Sequence, residues 1–289
     1  MIKHLIKAMR PRQWTKNSFV FFALIFDKQL FLREPFLKTL GGFILFCLIS
    51  SAVYLFNDLA DIEADRKHPE KKRRPLASGK LPVNAAMTAA FVLAALSIIL
   101  GYFLTPAFAV IIVIYFIVNL LYSNWLKHVP ILDVLIVSSG FVLRVAAGVT
   151  LITVERFSPW LYMITTLFSL YIGFGKRRAE MNLLEKGAGS HRRVLDGYTI
   201  PLLDQYITIV SGMTIVTYSL YTFFADNLPE NHTMMLTIPF VVYGIFRYLQ
   251  LIQTGNAAGA PDEVALKDRP LQVTVLLWGL AVIAVFYLS

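Results

Sequence analysis

Residues 36–65 read FLKTLGGFILFCLISSAVYLFNDLADIEAD, in which the apolar run Phe36–Phe56 passes without a break into the acidic stripe Asn57-Asp58-Leu59-Ala60-Asp61-Ile62-Glu63-Ala64-Asp65. An apolar run of about twenty residues is long enough to cross the hydrocarbon core of a bilayer as a helix. If that helix continues into the stripe, Asp58, Asp61 and Asp65 fall at i, i+3 and i+7, and Asn57, Asp61 and Asp65 at i, i+4 and i+8, so their oxygens share one face. Like charges on one stripe repel unless a cation sits among them. Oxygen donors with no histidine or cysteine nearby favour magnesium, which keeps several waters and bridges carboxylates to phosphates. Asn57, Asp58, Asp61 and Asp65 are therefore the expected magnesium ligands. A solvated helix end is the plainer alternative, but such faces mix signs at i,i+4, and this one does not until Arg66.

The apolar run is one of several. Asn17–Phe31, Val83–Leu104, Ala107–Trp125, Ile131–Ile152, Pro159–Phe174, Leu203–Phe224, Met234–Ile252 and Leu271–Leu288 qualify or nearly qualify as spans, which predicts an all-α polytopic membrane protein of about nine helices. Composition agrees: 57% of the 289 residues are hydrophobic and the mean hydropathy is +0.63, more apolar surface than one water-soluble core buries. No linker or composition break divides the chain, so residues 1–289 read as a single domain. The start, MIKHLIKAMRPRQWTK, is basic and amphipathic rather than built like a cleavable signal. Ile2–Met9 is expected to lie as a helix in the membrane interface, with Trp14 as a belt residue. The single cysteine, Cys47, lies inside an apolar run, which excludes an intramolecular disulfide and predicts a small core residue.

The net charge of +9 is confined to segments between apolar runs, a pattern of topology and anionic ligands rather than of nucleic-acid binding. If the N-terminus is cytoplasmic, the inside segments hold most of the lysines and arginines, in 3–16, 66–80, 127, 176–193 and 267–269. The outside segments hold Lys28, Arg33, Lys38 and Arg156, while Arg144 and Arg247 fall within spans. That bias predicts a cytoplasmic N-terminus. Both long polar insertions, Ala60–Pro82 and Lys176–Pro201, are then cytoplasmic, and loops of that length in a compact bundle usually carry function.

Three further clusters carry candidate chemistry. Lys71-Lys72-Arg73-Arg74-Pro75-Leu76-Ala77-Ser78-Gly79 places cations directly after the acidic stripe, as a diphosphate needs, and Arg74 before Pro75 is the member favoured as functional. Tyr122-Ser123-Asn124-Trp125-Leu126-Lys127-His128 is followed by Asp133 and, three turns on, by Arg144. An arginine inside a span faces a cavity or a partner, so Arg144 reads equally as a substrate contact or as half of a structural ion pair. His128 reads as a turn residue. The third cluster runs from Gly175-Lys176-Arg177-Arg178-Ala179-Glu180 through Lys186 and His191-Arg192-Arg193 to Asp196-Gly197-Tyr198.

Taken together, the Asn57–Asp65 stripe, the RPLASG segment after it and a second polar loop after the sixth run resemble the UbiA superfamily of intramembrane prenyltransferases over essentially the whole chain. Further matching pieces are Arg10-Pro-Arg-Gln-Trp-Thr-Lys-Asn17, Tyr122–Lys127, Ser138–Arg144, Gly175–Glu180 and Asp268-Arg-Pro-Leu-Gln272. They are most similar to the branch that moves phosphoribose onto polyprenyl phosphates. Ordinary prenyltransferases of the superfamily carry a second aspartate motif after the sixth helix. Here that place holds a lysine-arginine cluster, which cannot coordinate a cation but can bind phosphate.

The resemblance implies transfer of 5-phosphoribose from phosphoribosyl diphosphate to a decaprenyl-type phosphate with loss of diphosphate, through an oxocarbenium-like transition state. Asp58, Asp61 and Asp65, with Asn57, would hold Mg2+ on the leaving group. Arg12, Lys16, Arg74, Lys127, Lys176 and Arg177 become candidates for the ribose 5-phosphate and the lipid phosphate, and Gln13, Asn17 and Tyr122 for hydroxyls. Two rivals remain in view: a prenyltransferase that alkylates an aromatic acceptor from a prenyl diphosphate, and a transporter whose midplane charges line a path.

Overall fold

The computed structural model describes residues 1–68, 71–154, 158–185, 193–226, 228–254 and 267–288. Lys186, His191, Arg192 and Arg156 lie outside them. Every regular element among the described residues is helical: α1 (Ile2–Met9), α2 (Phe21–Phe26), α3 (Arg33–Ala60), α4 (Ile62–Lys67), α5 (Val83–Leu104), α6 (Pro106–Asn124), α7 (Leu132–Val149), α8 (Pro159–Glu185), α9 (Ile200–Phe224), α10 (Ile238–Gln253) and α11 (Arg269–Leu288), with short 3-10 segments between them. Seven of these, α3, α5, α6, α7, α9, α10 with its preceding turn, and α11, are long and apolar enough to cross a membrane. Local chemistry sets several ends. Thr105 and Thr199 cap α6 and α9, accepting hydrogen bonds from Phe108 N and Leu202 N, and each is followed within two residues by a proline.

The chain folds as two compact units, Met1–Leu126 with Leu143–Glu155, and Lys127–Val142 with Arg156–Ser289. In the first, Val20, Phe46, Ile49, Phe108, Ile112, Ala147 and Leu151 form one buried cluster, and Ala8, Leu55, Leu76, Leu81, Ala86 and Ala90 a second. The latter joins α1 and the 75–81 turn to α3 and α5. Phe91, Ile99, Phe103, Ile114 and Ile117 on α5 and α6 stay exposed, as a lipid-facing surface requires. In the second unit, Val134, Tyr171, Phe174, Tyr198, Leu203, Ile207, Tyr248 and Ile252 make the core.

Two spans differ from expectation. Asn17–Phe31 is not one α-helix: Pro11–Val20 is a 3-10 segment that passes into the short α2 and ends in a turn. Asn17 and Val20 are both buried along it, and Val20 lies backbone-to-backbone against Gly148, so close helix contact overrides the plain apolar pattern. The other, α8, is a 27-residue helix whose threonines, serine, tyrosines and terminal Lys176-Arg177-Arg178 dilute its apolar character. Trp14, expected as an interface belt residue, donates its indole N–H to Ser51 on α3 at 3.1 Å. Ile2–Met9 forms as anticipated, with Ile2 and Ile6 exposed and Ala8 buried.

A Cβ added at Gly148 would sit 2.0 Å from the Val20 carbonyl oxygen, whereas one at Gly41 meets only Leu104 methyl groups at 3.7 and 3.8 Å. Gly148→Ala is expected to destabilise the protein by at least the ~1–3 kcal/mol typical of overpacking, and Gly41→Ala to stay within about 0.5 kcal/mol of the parent. Thermal unfolding of both variants in detergent checks the contrast.

Candidate functional site

The acidic stripe is assembled at a helix break. α3 ends at Ala60, Asp61 takes φ −97° and ψ 8°, and α4 begins at Ile62. The backbone bonds Asp61 N to Asn57 O and Asp65 N to Asp61 O nevertheless span the break, so Asp58 and Asp65 keep their common side. Both are buried, at 2% and 3% exposure. Arg74 Nη1 donates to Asp65 Oδ2 at 2.7 Å and to Asp58 Oδ1 at 3.1 Å, and Arg10 Nη2 donates to the same Asp58 Oδ1 at 2.5 Å. Asn57 accepts from Ser123 Oγ of α6, the residue beside half-buried Tyr122.

Arg10 is the member of this cluster that sequence reasoning passed over. It ends α1 in the left-handed conformation, φ 56°, a geometry that turns the chain sharply. That turn lays its guanidinium over the Tyr54 ring, 4.8 Å from the centroid, and onto Asp58. A signal was present: Arg10-Pro11 repeats the Arg74-Pro75 dipeptide, and both arginines converge on one carboxylate.

Arg144 is buried and held by side chains of its own unit. Its Nε donates to Asn17 Oδ1 at 2.8 Å and its Nη2 to Tyr115 OH at 2.9 Å, and its guanidinium carbon lies 5.0 and 5.5 Å from the Tyr115 and Phe46 ring centroids. Asn17, fully buried, also donates to Ser50 Oγ and Cys47 Sγ. A cation desolvated by a span is here met by amide, phenol and ring faces.

Asp133, three turns before Arg144 on α7, pairs instead with α8: Arg177 Nε reaches Asp133 Oδ2 at 2.5 Å, and Arg177 Nη1 reaches Glu180 Oε2 at 2.7 Å. Asp133 is 0% exposed and Arg177 4%. Tyr198 OH donates to Asp133 Oδ1 at 2.6 Å and accepts the Ile131 N–H at 2.6 Å. Burial, and then the bond it donates to Asp133, push the Tyr198 phenol above its ordinary range, so it remains the donor at physiological pH. Arg178 pairs with Asp204 at 2.8 Å and with Asn182. Arg247, within its apolar helix, forks onto Asp268 at 2.8 and 3.2 Å, and Asp268 Oδ1 accepts from Leu271 N to cap α11. That fork holds the Asp268 carboxyl below its usual range.

Of the other expected substrate residues, Arg12 is exposed, and Gln13, Lys16, Lys127 and Lys176 are half-buried. His128 is exposed in a 3-10 turn, and Cys47 is a buried thiol.

The donor set can be tested against magnesium. Among the described residues no three histidine, cysteine, aspartate or glutamate side chains gather closely enough to hold a metal by themselves. Asp58 and Asp65 do converge: both accept from Arg74 Nη1, so their facing oxygens lie at most about 6 Å apart, and magnesium between them would take the place that this nitrogen now holds. Because this ion usually keeps waters and takes one or two carboxylates together with phosphate oxygens, the pair fits it, and a cage made of protein alone is not required.

A model of the UbiA prenyltransferase family matches residues 19–262. A decaprenyl-phosphate phosphoribosyltransferase of Mycolicibacterium smegmatis is 36% identical, the match covering 100% of this chain and 94% of that protein. One of Corynebacterium glutamicum is 37% identical over 98% and 87%, and one of Mycobacterium tuberculosis 36% identical over 96% and 92%. Among solved structures, a UbiA homolog from Archaeoglobus fulgidus bound to GPP and Mg2+ superposes with a TM-score of 0.74 at 17% identity, covering 98% of this chain and 99% of that one. An apo UbiA homolog from Aeropyrum pernix gives 0.66 at 12% identity over 94% and 97%. At such identities the structural likeness speaks for the fold.

Removing one partner of a buried ion pair typically costs ~3–5 kcal/mol, because the other charge stays desolvated. Arg177→Ala is thus expected to lower stability by about that amount, and Arg177→Met combined with Asp133→Leu to recover most of it. Thermal unfolding of the single and double variants in detergent measures both; equal loss in the two would contradict the ion-pair account.

Proposed function

The chain belongs to the UbiA prenyltransferase family, and we propose that within it this protein transfers 5-phosphoribose from phosphoribosyl diphosphate to a polyprenyl phosphate of the decaprenyl type, releasing diphosphate. The observation that carries the substrate assignment is 36–37% identity, over nearly the full length, to proteins named for that reaction. The protein is integral to the membrane. In the proposed setting it sits in a bacterial cytoplasmic membrane with its N-terminus and active site on the cytoplasmic side, as the basic segments favour.

In this reading Asp58 and Asp65, with Asn57 and Asp61, hold Mg2+, which when bound lowers the charge that the departing diphosphate must carry. Arg10 and Arg74 serve the same anion. Each guanidinium carries several N–H donors beyond those on the carboxylates, and about 30% of each side chain is exposed. A lipid phosphate oxygen bonds to C1 of the ribose while the C1–O bond to diphosphate breaks and its electron pair leaves with the diphosphate. A phosphate monoester is already anionic near neutral pH, so no strong general base is needed. Lys16, Lys127 and Lys176, with exposed Arg12, are the proposed contacts for the ribose 5-phosphate and the lipid phosphate, and Gln13 and Tyr122 the proposed partners of hydroxyls.

Arg144 and Arg177, first grouped with the substrate residues, act here from behind, since both are buried on protein partners. The prenyltransferase rival needs a second acidic stripe at 175–180, where this chain has cations engaged with Asp133, Glu180 and Asp204. The transporter rival needs midplane charges that line a path, and Arg144 and Arg247 are instead engaged with Asn17, Tyr115 and Asp268.

Membranes given labelled phosphoribosyl diphosphate should yield a labelled lipid on thin-layer analysis, while labelled prenyl diphosphate with aromatic acceptors should not; the reverse pattern overturns the assignment. Asp58→Ala and Asp61→Ala should each reduce turnover by about 10²–10³-fold or more in protein that still inserts, and near-normal rates in either would remove the metal reading.

A further inference from the structure

Ile131 stands in the left-handed region, φ 69°, which a β-branched residue enters only under constraint. It is 43% exposed, so core packing does not impose that conformation. Two contacts from the 193–198 segment do. The Ile131 N–H ends on Tyr198 OH at 2.6 Å, and Gly197 presses so closely on Pro130 that an added Cβ would come within 2.2 Å of the proline ring. Val194, Leu195 and Tyr198 are all buried, which seats the segment firmly.

The same phenol donates to Asp133, and Asp133 receives Arg177. One hydroxyl therefore ties together a strained turn, the start of α7 and the charged end of α8. Lys127 lies just ahead of that turn, in the 3-10 segment Leu126–His128, and Lys176 directly precedes Arg177. Backbone strain maintained by surrounding bonds is a recurrent means of fixing groups at a site.

We propose that Tyr198 is a positioning residue for the transfer reaction: its hydroxyl, held between Ile131 N–H and Asp133, keeps the 129–131 turn in its strained form and so fixes Lys127 and Lys176 for the anionic donor. The role of the two lysines rests on the functional reading above. The hold that Tyr198 has on the turn does not.

Tyr198→Phe deletes the hydroxyl and leaves the packing. Its KM for phosphoribosyl diphosphate should rise about tenfold, the equilibrium factor of one buried hydrogen bond left unmade, with kcat changed less than about threefold. Glycine adopts positive φ without penalty, so Tyr198→Phe with Ile131→Gly should return KM to within about threefold of the parent, whereas Tyr198→Phe with Ile131→Ala should not. An unchanged KM in Tyr198→Phe, or a double glycine variant that fails to fold or to recover KM, overturns the proposal. Hydrogen–deuterium exchange gives the substrate-free limb: amides in 126–133 should lose protection in Tyr198→Phe, and retained protection also overturns it. A parent protein that does not consume phosphoribosyl diphosphate would sink the functional reading alone.

Discussion

Two ionised carboxylates on one buried surface repel each other unless positive charge stands between them, and the first unit is organised around that constraint. At 4 Å and an effective dielectric near 20, two like charges repel by ~4 kcal/mol. Asp58 and Asp65 are both almost fully covered. Arg74 answers both and Arg10 adds a second bond to Asp58. The two arginines come from opposite sides in sequence, one ahead of the spans and one after the stripe. Neutralising the stripe therefore fixes the N-terminal turn, the α3–α4 break and the 71–80 segment with respect to one another.

The buried or span-borne arginines show three ways of carrying a cation in an apolar setting. Arg144 lies against an amide, a phenol and two ring faces. Arg177 meets two carboxylates. Arg247 uses both prongs on a carboxylate that also starts a helix.

Much of this was legible in the residues. Helix length and apolar content gave the class, the amphipathic start gave α1, and the i, i+3, i+7 spacing put Asp58 and Asp65 on one side. What escaped was partnership at long range. Periodicity says that Asp133 and Arg144 share a helix face, but it cannot say that an arginine 44 residues away on α8 comes closer to Asp133. Nor does hydropathy distinguish an α-helical span from the 3-10 segment Pro11–Val20, whose Val20 backbone abuts Gly148 and whose Asn17 meets Arg144. Asp61, expected as an equal member of the stripe, also stands at the break between two helices, which spacing alone does not reveal. Arg10 carried only the Arg-Pro dipeptide as a signal, because its contact with Asp58 depends on a left-handed turn that no local preference demands.

The lone thiol offers a practical handle. Cys47 is 4% exposed and receives the Asn17 amide, so a membrane-impermeant maleimide should find no native target in folded protein. Any cysteine introduced at an exposed loop position then reports by itself on which side of the bilayer that loop lies, with no need to strip the wild-type background first.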